Sequence, residues 1–190
     1  MGQSQSNLPS GKKYTVSYCK QHSVKETDIK ILDSIDLSNL LSGDLIGSVY
    51  KYKTRFLGYS IPPITYENNR PLNLLLKSIK LENFDIKPRC YTVSLDNIKY
   101  FLSRFDILIA GIIIDKKFAK GMFDITIENK ASDIILITGY TSDSLILRTN
   151  WKQTHLEIPF NFICNIKEIW NISILSHEDK YLEELTQTHW

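Results

Sequence analysis

The residues best able to do chemistry in this chain are its three cysteines, Cys19, Cys90 and Cys164, and its four histidines, His22, His155, His177 and His189. A thiol becomes a nucleophile when a neighbouring imidazole takes its proton. Cys90 and His155 are the one pair in the patterned part of the chain that could work this way. Cys90 precedes a strand rather than opening a helix, so no helix dipole is expected to favour its thiolate. His155 falls in a turn. The ordinary reading of the two is a small buried thiol and a surface imidazole, and Cys164, in an apolar turn, reads as core. The other histidines have no partners at ligand spacing and no C-x-x-C pair occurs, so neither a metal site nor a disulfide framework is expected. Asp133 and Asp143 are a candidate carboxylate pair for acid–base work, but their positions at a strand end and in a turn favour structural roles. Gly121 and Gly139 read as turn glycines without a phosphate-loop pattern.

The first six residues, MGQSQS, fit the N-acylation pattern M-G-x-x-x-[ST], with Gly2 as the acceptor. One myristoyl chain anchors a protein only marginally and needs a second signal. Lys12, Lys13, Lys20 and Lys25, or a palmitoylated Cys19, are candidates for it, though sparse ones.

The surrounding elements must form one core. At 190 residues, 43% hydrophobic and 23% charged, the chain fits a single domain with extensions. A net charge of +2 supplies no field for nucleic acid, and no Lys/Arg cluster is interleaved with exposed aromatics as a strand-binding surface would need. No nucleic-acid partner is therefore expected. The apolar run 107–114 is too short to span a bilayer. Lys outnumbers Arg 18 to 5 and there are 26 Ile, a bias that fits AT-rich coding, whether of a large DNA virus, a bacterium or a protist.

Alternation predicts an edge strand at 13–18. Spaced apolar residues predict one or two short helices over 27–41, ended by Ser42-Gly43-Asp44. Residues 48–57 read as a basic strand. Pro62-Pro63 forces extended chain. Pro71 opens a helix through about Leu81, with Leu72, Leu75, Leu76 and Ile79 on one face. Residues 84–93 are extended, and Ser94 caps a helix carrying Leu95, Ile98, Phe101, Leu102 and Phe105. Strands follow at about 106–114, 123–128, 133–139, 144–149, 156–158 and 168–174. The last residues, 176–190, form an acidic tail with a short helix. This order predicts an α+β fold with an antiparallel half-barrel sheet.

The second half carries a family pattern. Residues 105–118 read FDILIAGIIIDKKF, 133–140 DIILITGY, 148–152 RTNWK and 156–163 LEIPFNFI, followed by Ile169-Trp170. Their order and spacing resemble the papain-like cysteine peptidases, which show "G-x-P-V-x-x-G-x-x-V-x-x-S-F", "H-A-V-L-I-V-G-Y", "K-N-S-W-G", "G-Y-F-x-I-P-Y-E-Y-I" and an "F-W" strand. The likeness covers residues 91–174. Pro62-Pro63-Ile64 is similar to the "P-P-V" before the nucleophile loop, and the Pro71 helix would be a remnant of the central helix. The resemblance implies a truncated helical subdomain packed on the sheet, with an N-terminal extension over 1–55, a degenerate papain-like domain over 56–175 and the tail over 176–190.

It also implies a lost active site. The nucleophile position falls near Asn73, and no Cys lies between Cys19 and Cys90. The imidazole position is Asp133, a carboxylate that would be ionised rather than act as a base near neutrality. The orienting amide position is Thr149; Asn150, one residue on, belongs to the opposite face of a strand. The oxyanion-hole position falls near Glu67, whose charge would repel an oxyanion. The expectation is a non-catalytic pseudoenzyme, a structural or protein-interaction module held at a membrane through Gly2 and associated with a virion. No cofactor is expected, and the location is cytoplasmic, at a membrane or in the virion. Partner contact would use the basic front (Lys51, Lys53, Arg55) or the acidic tail. Aromatic residues Tyr140, Trp151, Phe160, Phe162 and Trp170 are expected in the barrel core. The competing expectations are a divergent cysteine hydrolase using Cys90 and His155, or an unrelated α+β domain.

Overall fold

The fold comes from a computed structural model and is described for residues 30–31, 44–57, 61–67, 70–151, 155–177 and 185. The expected strand at 13–18, Gly2, Cys19 and most of the tail lie outside these residues, as do all but two residues of 27–41. Those two, Lys30–Ile31 (β1), pair as a strand against β4, where a helix was expected.

The remaining elements in chain order are α1 (Leu45–Lys53), α2 (Leu72–Ser78), β2 (Phe84–Tyr91), α3 (Leu95–Leu102), β3 (Leu108–Ile114), α4 (Lys116–Phe123), β4 (Ala131–Tyr140), β5 (Ser144–Arg148), β6 (His155–Pro159) and β7 (Ile166–Ser176). A short 3-10 turn, Phe160–Asn165, links the last two strands. The fold is α+β: an open antiparallel sheet in the order β2-β7-β3-β4-β5-β6, with β1 added at the end of β4.

Alternation along the central strands gives the sheet two apolar faces. Leu108, Ala110 and Ile112 of β3 join Ile135 and Ile137 of β4 beneath α3 and α4. Ile107, Ile109, Leu136, Trp170 and Ile172 point the other way, into a second core under α1 and α2. Helices therefore cover both faces, which explains why β3 reads as a continuous apolar run rather than as alternation. Tyr140, Phe162 and Trp170 are buried, and Trp151 and Phe160 pack half-buried against the first core, so the aromatic residues are core as expected.

Two helices form that the sequence did not suggest. Residues 48–57 look like a strand because aromatic and basic residues alternate there. They form α1, because Ile46, Val49 and Tyr50 fall on one helical face and bury it completely. The Asp44 carboxylate caps the helix, accepting from the Ile46 N–H at 3.1 Å. Lys51 and Lys53 in the last turn complement the helix dipole. α1 lies ahead of the expected boundary at 55, yet its side chains belong to the second core.

No strand forms at 123–128, where residues 124–128 carry no regular element, and residues 116–123 form the second unexpected helix, α4. Asp115 caps it, accepting from the Phe118 N–H at 2.9 Å, and that bond holds the Asp115 carboxyl below its usual range. α4 ends at Asp124, a non-glycine residue in the left-handed region (φ 54°). The expected helices at Pro71 and Ser94 are present; the Ser94 hydroxyl accepts from the Asn97 N–H at 3.1 Å.

A polar node fastens α1 to the sheet. Asp106, just before β3, forms an ion pair with Lys53 and accepts from the Asn171 side-chain amide of β7 at 2.7 Å. Its other oxygen accepts from the Ile107 N–H at 2.8 Å. Both members of the ion pair are largely shielded from water. Beside them, the Tyr52 hydroxyl donates to the Phe105 carbonyl.

Candidate functional site

An open groove runs along the ends of the central strands on the α1 and α2 side. One stretch, of about 520 Å³, is walled by Arg70, Pro71 and Leu72 at the front of α2 and by Ser132, Asp133 and Ile134 at the start of β4. Gly111 to Ile113 of β3 and Lys167 and Glu168 of β7 complete it. A second stretch, of about 700 Å³, shares Asp133 and Ile134 and continues past Asn150 to Thr65, Tyr66 and the front of α1. There the Tyr66 hydroxyl donates to the Asp44 carboxylate. Burial, then the bonded and charged Asp44 carboxylate, push the Tyr66 phenol well above its ordinary pKa. No local pattern signals this pair, which comes from segments 22 residues apart.

Each predicted site residue can now be placed. Asn73 is the second residue of α2 and is exposed. Glu67 is also exposed and holds Arg70 in a surface pair at 2.8 Å. Thr149 is buried, and its hydroxyl accepts from the Trp151 N–H at 3.2 Å. Asp133 accepts from the Ile134 N–H at 2.8 Å through one oxygen and from the Trp151 indole N–H at 2.5 Å through the other.

That second bond gives Asp133 a direction. In the β3–β4 ladder Asp133 stands opposite Ile112, a residue of the α3 and α4 core. Residues directly opposite in a ladder share a face. The Trp151 ring meets Phe123 of α4 edge-on at 5.9 Å. The Asp133 carboxylate thus serves as a strut for Trp151 on one face, while α2 covers the other. Asp133 and Pro71 both line the groove, but Asn73 does not, and the Asp133 carboxylate is bonded to Trp151.

The Cys90 and His155 pair is not assembled either. Cys90 stands opposite Trp170, which stands opposite Ile109, then Leu136, Arg148 and finally His155. The two residues sit at opposite ends of one six-strand row. With strands about 4.8 Å apart, that places them roughly 24 Å from each other along the sheet. The His155 ring instead lies 3.2 Å from the Arg148 guanidinium. Cys90 is exposed, not buried as expected, and so is Cys164, on the 3-10 turn. Partial burial and the nearby Glu168 carboxylate raise the Cys90 thiol pKa, opposite to what a nucleophile needs.

No protein-family model, curated protein or solved structure matches this chain.

Asp133 lies near the start of β4, and Asp143 lies beyond its far end. Asp143 is bound within the β4–β5 turn, accepting from the hydroxyls of Thr141 at 3.1 Å and Ser144 at 2.9 Å. Among the described residues, no group of His, Cys, Asp and Glu is disposed to hold a metal ion, and no helix is long and apolar enough to cross a membrane. The structure does bring two aromatic and arginine segments together, through the bond from the Tyr52 hydroxyl to the Phe105 carbonyl. Arg55 lies over the rings of Tyr52 and Phe56, at 3.8 and 4.4 Å, and Arg104 lies over Tyr100 at 4.3 Å.

Proposed function

We propose that the chain is a degenerate papain-like scaffold acting as a non-catalytic structural or protein-interaction module. It is tethered to a membrane through Gly2, in the setting of a large DNA virus. The observation that carries the reading is the Asp133–Trp151 bond. At the position where the resemblance calls for a proton-accepting imidazole, the chain has a carboxylate whose oxygens are taken up by the Ile134 amide and the Trp151 indole. Support also comes from the groove between the start of α2 and the start of β4, which are the elements that carry nucleophile and base in that family. In this chain the groove is available for a partner segment rather than for hydrolysis.

The alternative thiol hydrolase would require Cys90 to work without an imidazole and with a raised thiol pKa. A peptidyl epoxide of the kind that traps papain-like thiolates separates the two readings. The proposal predicts no stoichiometric adduct on Cys90 or Cys164 at neutral pH and no cleavage of an unfolded protein substrate. A stoichiometric Cys90 adduct that also abolishes a measurable hydrolysis would overturn it.

A further inference from the structure

The ends of α1 and α3 lie side by side, joined by the bond from the Tyr52 hydroxyl to the Phe105 carbonyl. Three large rings stand exposed there: Phe56 is 83% exposed, Phe105 57% and Tyr100 51%. Phe105 has φ 58°, a left-handed backbone that a phenylalanine rarely adopts. The cations among the rings are Arg55 and Arg104. Neither has a carboxylate partner among the described residues; Asp106, the acid nearby, is paired with Lys53. Both guanidiniums are instead stacked on aromatic rings. The surface therefore combines apolar rings with uncompensated positive charge.

We propose that this surface is a membrane-contact face that takes an anionic phospholipid bilayer. Phe56 and Phe105 enter the headgroup boundary, while Arg55 and Arg104 meet the lipid phosphates. Rings flanked by cations suit the bilayer interface, where apolar groups and anionic headgroups lie within one side-chain length. The N-terminal acylation pattern adds a reason to choose a bilayer over a protein partner. A single acyl chain on Gly2 needs a second, electrostatic signal, and the sparse lysines near the N-terminus are a poor one. The inference draws on the Gly2 reading for its context, but the patch can be tested without it.

The test uses full-length protein carrying Gly2→Ala, so that no acyl chain contributes. It is co-sedimented with vesicles of pure phosphatidylcholine and with vesicles containing about one-third phosphatidylserine. The expected result is at least about tenfold stronger partition onto the anionic vesicles, weakening as salt rises. Phe56→Ser and Arg104→Glu should each lower that partition about tenfold or more. Both are surface positions, and unchanged thermal unfolding would verify that the fold is intact. Equal partition onto both vesicle types, or folded variants that bind like the parent, would overturn the proposal. If the acylated parent nevertheless binds membranes, the Gly2 reading survives and this surface does not. Self-association that depends on Phe56, with indifference to vesicles, would assign the face to a protein contact and equally end the proposal.

Discussion

Phe118→Ala will lower the stability of the fold by about 4 kcal/mol, the usual cost of deleting a large ring from a filled core. Phe118 is fully buried at the start of α4. Its ring meets Phe123 edge-on at 6.0 Å and Phe162 at 5.3 Å. Phe162, one of these ring neighbours, is itself packed tightly against Gly121. A Cβ built at residue 121 would come within 2.7 Å of the Phe162 ring. Urea unfolding should show a lower midpoint with an unchanged slope, and Phe118→Leu should cost far less because it restores most of the volume. A loss below about 2 kcal/mol for the alanine variant would mean that α4 is not packed into the first core as described.

The second large effect is electrostatic. Asp106→Ala should cost about 3 kcal/mol, most of it from what is left behind rather than from the bond removed. Lys53 would keep its charge in a mostly shielded site without a counter-ion, and the Asn171 amide would lose its acceptor. Asp106→Asn should be milder, since one side-chain oxygen remains to accept. A double-mutant cycle with Lys53→Met distinguishes this account from a simple loss of packing. Removing the lysine should cost less when Asp106 is already alanine. Additive losses, or a cost for Asp106→Ala below about 1 kcal/mol, would show that water replaces the carboxylate freely.

These residues also show where sequence reasoning succeeded and where it stopped. α2 and α3 were legible because Pro71 and Ser94 are local signals whose physics involves only a few neighbouring residues. The strands of the second half were legible because their apolar residues form runs bounded by turns. α1 was missed because Tyr50, Lys51, Tyr52 and Lys53 alternate as a strand would, and only burial against Ile109 and Trp170 selects the helix. Asp44 and Asp115 were the available clues, each an acidic N-cap ahead of a missed helix. The candidate site was legible as positions but not as geometry. Asp133 is in phase with Ile135 and Ile137, so the period of two already assigns it to the α4 face. The indole that occupies it comes from 18 residues away and could not be read locally. Strand order was equally hidden. Cys90 and His155 are separated by the whole width of the sheet only because β7 returns to pair with β2 and β3.

That separation offers the most direct test of the claim that the chain lacks proton-transfer machinery. In a variant with Cys19 and Cys164 replaced by Ser and with His155→Cys, spin labels on residues 90 and 155 report the distance by pulsed dipolar spectroscopy. The strand row predicts a main distance near about 24 Å, widened by the reach of the labels. A main distance under about 15 Å would put the thiol and imidazole positions close enough to cooperate and would contradict the account.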